Sequence, residues 1–131
     1  MKWISKGKKK NYSISRFFKS FTYAFNGIKT AIKTEQNFVV DLVFGVIAIV
    51  LGFLLKIDKI EFIIIILTIG IAIMAELVNT AIEYTVDMAM PEIHPLAKAA
   101  KDLSSGAVLI MDFVILIIGI IIYLPKIIEL F

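Results

Sequence analysis

The sequence predicts an all-α integral membrane protein, with three membrane-spanning helices preceded by an amphipathic helix on the membrane surface. Three observations carry that expectation. The composition is 60% hydrophobic with a mean hydropathy of +0.92, three long apolar runs follow one another, and a one-sided apolar stripe precedes them. Ordinary soluble domains are about 45–50% apolar, so a soluble helical bundle is the weaker expectation. At 131 residues the chain has room for one domain, made of about three crossings of ~20 residues each and a polar arm. A separate soluble catalytic domain does not fit. With no cysteine in the sequence, thiolate metal sites, disulfides and cysteine nucleophiles are excluded, and catalysis must rest on oxygen and nitrogen groups.

Residues 1–13 form a basic arm, and residues 14–131 form the membrane domain. Nine of the fourteen basic residues (Lys2, Lys6, Lys8, Lys9, Lys10, Arg16, Lys19, Lys29 and Lys33) precede the first apolar run. Such an arm could attract nucleic acid. Joined to this apolar body it is read instead as the positive-inside signal together with attraction to anionic lipid, so no nucleic-acid partner is expected. The charged start is not followed by a compact apolar run and a small-residue cleavage site, so no cleavable signal is expected.

The surface helix spans about 14–33. Ile14, Phe17, Phe18, Phe21, Phe25, Ile28 and Ile32 recur at helical spacing, and Arg16, Lys19, Lys29 and Lys33 fall largely off that stripe. A partner-docking helix would read the same way, but membrane spans follow at once and favour the interface. The spans are expected at about 38–55, 62–86 and 103–124. Each is interrupted by acids: Asp41 in the first, Glu76 and Glu83 in the second, Asp112 in the third. Ionisable groups within spans are costly, face a bundle interior or wet cavity, and mark function by default. The turn at Lys56–Glu61 is short, whereas Asp87–Asp102 reads as a longer connection because Pro91 and Pro95 oppose continuous helix. With the basic arm in the cytoplasm, three crossings leave Asp87–Asp102 inside and Lys56–Glu61 outside.

The second span closes on the run ELVNTAIEYTVD, residues 76–87. At ~100° per residue, Glu76, Asn79, Glu83 and Asp87 fall within an arc of roughly 80°. Three carboxylates on one face of a membrane helix need a partner, and Mg²⁺ bound with phosphate oxygens is an economical one. Glu35, at the junction of the surface helix and the first span, lies on the same side. Lys101, Asp102 and the small residues Ser104, Ser105 and Gly106 open the third span there too. Acids for a metal, a lysine for phosphate and a deep carboxylate for proton removal are the parts of phosphoryl transfer. Neither GxxxxGK[ST] nor GxGxxG is present, so no soluble P-loop or protein-kinase fold is expected. Spacing alone leaves the reaction open.

The run at 76–87 resembles the E-x-x-N-[ST]-A-I-E-x-x-V-D signature of the prokaryotic diacylglycerol kinases. The likeness extends to Arg16–Phe21 and Gly27, to Thr34–Phe38, and to Ala100–Asp102 with Gly106–Val108. His94–Asp102 is most similar to the Gram-positive branch, whose members prefer undecaprenol. The resemblance implies a homotrimer of three-span subunits in the bacterial cytoplasmic membrane, with active sites shared between neighbours. It implies Mg²⁺ and ATP, a lipid alcohol as substrate, and chemistry at the cytoplasmic face. Glu76 is similar in position to the catalytic base, which also touches the lipid hydroxyl. Glu35 and Glu83 match the acids that bind the metal accompanying ATP. Lys101 and Asp102 match the phosphate site, and Arg16, Tyr23, Glu92 and His94 the other nucleotide contacts. Asn79 and Ser105 match positions that order the base and the lipid headgroup. Asp112 stands outside the resemblance, and pairing within the bundle or lining a lipid cleft both accommodate it.

The resemblance implies an undecaprenol kinase, with a diacylglycerol kinase as the alternative. An ion-coupled transporter carrying protons on Glu76 would instead want acids at mid-bilayer and two alternating openings. Clustering of Glu35, Glu83, Asp87, Lys101 and Asp102 at one face opposes that reading, and a non-catalytic scaffold leaves the stacked acids unexplained.

Overall fold

The computed structural model describes residues 12–131 and forms four helices, α1 (Ile14–Thr34), α2 (Gln36–Leu54), α3 (Lys59–Ala89) and α4 (Pro95–Glu129). Lys2, Lys6, Lys8, Lys9 and Lys10 of the basic arm lie outside the described residues. The last three helices are each long and apolar enough to cross a membrane.

Ser13 starts α1 by accepting the Arg16 amide on its side chain at 3.1 Å, which satisfies one unpaired donor of the first turn. The expected stripe forms, with Phe17, Phe18, Phe21 and Phe25 all exposed. Phe17 sets its ring edge-on to Phe18 and Phe21 at 5.6 and 5.2 Å. Ala31 alone is buried along this helix. An uncovered aromatic face beside Arg16, Lys19, Lys29 and Lys33 suits the membrane interface.

The helix breaks at Glu35, whose backbone is extended (φ −114°, ψ 104°) while its amide still bonds the Ala31 carbonyl at 2.8 Å. Since α2 starts at the next residue, the chain turns in a single step. Ala31 and Phe38, 2% and 1% exposed, fill the inside of this elbow, and Glu35 sits at its apex.

At the far end of α2, Lys56 adopts a left-handed backbone (φ 53°). The Lys56 and Ile57 amides reach back to the Phe53 and Gly52 carbonyls at 3.3 and 3.2 Å, which is the paired bonding of a Schellman cap. Ile57 folds over Gly52, where a Cβ would stand 3.0 Å from Ile57 Cδ1. Asp58 then accepts the Glu61 amide at 2.8 Å and opens α3.

The connection after α3 is shorter than the expected Asp87–Asp102. Helix α3 continues to Ala89 and α4 begins at Pro95, so the two prolines bound the break rather than fill a loop. Pro95 stands in the first turn, where its missing amide costs nothing, and His94 Nδ1 accepts the Leu96 amide at 3.1 Å as the cap. Lys101 and Asp102 are therefore helical. The last helix also runs through Pro125 to Glu129, past the expected end near 124.

Helix α3 is central, packed on one side by α2 and more extensively by α4. Away from the elbow, Ile57, Ile65 and Ile122 form a cluster against Ala48, Phe62, Ile69 and Tyr123. The Tyr123 hydroxyl donates to the Ala48 carbonyl at 2.6 Å and ties α4 to α2. In lipid such contacts hold by dispersion and hydrogen bonding rather than by expelling water. Helix α2 comes close to α3 at Gly45, where a Cβ would meet Ile69 Cγ2 at 2.9 Å. A valine there gains ~0.5 kcal/mol of helix propensity but overpacks by about 1–3 kcal/mol. Gly45→Val is expected to lower Tm in detergent by several degrees; an unchanged Tm would contradict this packing.

Candidate active site

The arc of polar residues foreseen on α3 is present, and each member meets a different environment. Glu76 is 4% exposed and forms no hydrogen bond or ion pair with any described residue. One turn nearer the elbow end, Asn79 Nδ2 donates to Glu83 Oε1 at 3.4 Å. From α4, Ser104 Oγ donates to Asn79 Oδ1 at 2.6 Å. Two turns further on, Lys101 Nζ donates to Asp87 Oδ1 at 2.7 Å. That hydrogen bond tethers the ammonium group of α4 to α3. Lys98 and Asp102 pair one turn apart on α4.

The elbow brings Glu35 to this end of the bundle. Thr34 Oγ1 lies 3.2 Å from the Tyr84 hydroxyl and donates to Glu35 Oε1 at 3.4 Å. The apex is thereby fastened to the turn of α3 that carries Glu83. Glu35 and Glu83 both lie within electrostatic reach of Glu76. Among the described residues no three His, Asp or Glu side chains gather into a metal cage. Glu35 and Glu83 offer two hard oxygen donors, the kind of set that Mg²⁺ uses when phosphate oxygens and water complete its shell. The donors fit that ion.

On its other side Glu76 faces a groove of about 780 Å³ between α2, α3 and α4. Its walls are chiefly apolar, including Phe44, Ile69, Ile115, Ile120 and Leu124. Along α4 the lining runs from Asp112 to Ile127, which at 1.5 Å per residue is about 22 Å. Asp41 and Asp112 line the same groove as Glu76, and Asp41 Oδ2 is buried without a hydrogen-bond partner. Of the two placements open to Asp112, the structure selects the cleft. A buried carboxylate thus stands where an apolar channel meets a polar end rich in acids and one tethered lysine.

A family model described as prokaryotic diacylglycerol kinase matches residues 22–123. The chain belongs to that family. It is 46% identical over 113 residues to an undecaprenol kinase of Bacillus subtilis (strain 168), covering 86% of this chain and 92% of that one. It is 37% identical over 112 residues to a diacylglycerol kinase of Synechocystis, covering 85% of this chain and 64% of the relative. A diacylglycerol kinase of Escherichia coli (strain K12) is 33% identical over 103 residues, 79% of this chain and 84% of its own. As a member of this family with three apolar helices of spanning length, the chain is a multi-pass membrane protein.

Within the family's matched range the structure gathers Glu35, Glu76, Asn79, Glu83 and Lys101. The remaining expected positions lie further out. Arg16 precedes the matched range, and Tyr23 is exposed on α1. Glu92 is exposed in the short connection, and Asp102 is exposed and paired with Lys98. His94 has spent Nδ1 on capping α4. Ser105 is exposed, whereas its neighbour Ser104 is 8% exposed and holds Asn79. From the sequence Ser104 stands out only as one of the small residues that open the third span. The signal was its spacing: Ser104 follows Lys101 by three, so both lie on one face of a helix, and the face bearing Lys101 is the one turned to α3.

Proposed function

We propose that this chain is a lipid kinase that uses Mg-ATP to phosphorylate the primary hydroxyl of undecaprenol at the cytoplasmic membrane face. It would return the free alcohol to the phosphorylated carrier pool used in envelope synthesis. The observation that carries the reading is Glu76, buried and unpartnered at the junction of the apolar groove with the acid-rich end. The lipid tail lies along the groove, its hydroxyl meets Glu76, and the carboxylate accepts the proton as the oxygen attacks the γ-phosphorus and the bond from that phosphorus to the bridging β-phosphate oxygen breaks, releasing ADP. Glu35 and Glu83 hold Mg²⁺, which when bound neutralises charge on the nucleotide phosphates. Lys101, released from Asp87, adds a further positive charge at the phosphates. Arg16, Tyr23, Glu92, His94 and Asp102 contact the rest of the nucleotide, and with Asn79 bonded to Glu83 rather than to Glu76, the ordering of the lipid headgroup falls to Ser105.

The exposed apolar side chains along α2 and α4, among them Phe44, Ile110, Leu116 and Ile121, support a homotrimer in which neighbouring subunits share each site. The basic residues of α1 support an active-site end that faces the cytoplasm. A diacylglycerol kinase is the second reading, favoured by the Synechocystis and Escherichia coli relatives. Competition between the two lipids, presented at equal surface concentration to purified protein, separates them. Undecaprenol is expected to take most of the phosphate. A product dominated by phosphatidic acid would assign the chain to diacylglycerol.

A further inference from the structure

Ser104 is one of four buried polar side chains among the described residues, with Thr68, Glu76 and Thr80. Thr68 returns its hydroxyl to the Ile64 carbonyl of its own helix. Ser104 instead crosses from α4 to α3 and gives its proton to Asn79 Oδ1 at 2.6 Å.

The crossing fixes one end of the Asn79 amide. An amide has one end that accepts and one that donates. With Oδ1 satisfied by Ser104, the Nδ2 end faces Glu83 Oε1, at 3.4 Å. Turned by 180°, the amide would set Oδ1 against the Glu83 carboxylate, two acceptors with no proton between them. The Glu83 carboxylate sets which end of the amide faces it, and Ser104 anchors the other end, so that Asn79 is held in the orientation that donates to Glu83.

We infer that Ser104 is a positioning residue for the metal-nucleotide site, acting through Asn79 to hold the Glu83 carboxylate in place. The inference rests on the reading of Glu83 as a metal ligand given above. It assigns Ser104 no contact with lipid or with ATP. Loss of the hydroxyl removes that anchor, the donor to Glu83 is held less firmly, and the ion is held less well. Since Glu76 takes no bond from this chain of groups, proton removal and lipid binding are spared.

Ser104→Ala is expected to raise the Mg²⁺ concentration for half-maximal activity by roughly three- to ten-fold, the span that loss of one hydrogen bond allows. The lipid KM should stay within about two-fold of the original. Ser104→Thr, which keeps the hydroxyl, should restore the Mg²⁺ response. In a Glu83→Gln background, Ser104→Ala should add nothing to the weakened binding of Mg-ATP measured by calorimetry. An unchanged Mg²⁺ response in Ser104→Ala would overturn the inference, as would additive losses in the double variant. A parallel rise in the lipid KM and in the Mg²⁺ requirement, together with a fall in thermal stability, would also overturn it, by making Ser104 a packing residue. If the unaltered protein binds Mg-ATP but phosphorylates no lipid, the kinase reading fails while the calorimetric test of Ser104 still stands.

Discussion

Glu76→Gln is expected to lower the rate of lipid phosphorylation by about 10²–10⁴, the usual contribution of a general base, while the affinity for ATP stays within a few-fold. Glutamine keeps the size and the planar end of the side chain but cannot take up a proton at neutral pH. Glu76 is 4% exposed and no described group bonds to it, so no hydrogen-bonded neighbour stands in place to take the proton instead. Asp41 and Asp112 share the groove, which the proposed reading gives to the lipid tail rather than to the nucleotide. The expected signature is a fall in kcat with little change in the KM for ATP, because the interaction removed is one made only as the proton moves. Near-normal turnover in the purified variant would take Glu76 out of its assigned role.

Glu35→Ala and Glu83→Ala are expected each to weaken Mg-ATP binding by tenfold or more, and the double variant to be scarcely worse than either single one. Two carboxylates that share one ion act as a unit, and groups in one network do not add. On the proposed reading each would supply a charged ligand to a hard cation that coordinates strictly and keeps few protein ligands, so either loss should empty most of the site. Their routes to that place differ. Glu83 is positioned by its helix and by Asn79, whereas Glu35 depends on the elbow, with Phe38 and Ala31 packed inside it and Thr34 resting on Tyr84. Isothermal titration with Mg-ATP distinguishes the outcomes: unchanged binding in both variants places the metal elsewhere, and independent, additive losses mean that they do not share one ion.

Much of this site was legible in the sequence because it is written on single helices. The arc formed by Glu76, Asn79, Glu83 and Asp87 depends only on helical pitch, and it formed as expected. Glu35 falls at a junction legible from the change of an amphipathic stripe to an apolar run, whereas the one-residue elbow there is seen only in the structure. Features set by the register between helices were not legible. Whether Ser104 or Ser105 meets Asn79 turns on a rotation of about 100° about α4, which only the packing against α3 decides. The gathering of Asp41, Glu76 and Asp112 on one groove needs three helices in register, so the sequence left Asp112 open. The connection near Pro91 and Pro95 was overestimated for another reason: proline is a poor interior residue but a good first-turn residue, and composition does not tell the two apart until the cap at His94 is seen.

The central claim is that the acid-rich end of this bundle moves the γ-phosphoryl group of ATP onto the hydroxyl of a lipid alcohol. Its most direct test is to reconstitute the purified protein in lipid with undecaprenol, add Mg²⁺ and ATP labelled on the γ-phosphate, and follow the label into the organic phase. Stoichiometric appearance of label on the lipid, lost in Glu76→Gln, is the predicted result. The account is contradicted if the lipid stays unlabelled while the protein is folded and binds Mg-ATP, or if the protein instead drives proton-coupled solute flux without consuming ATP.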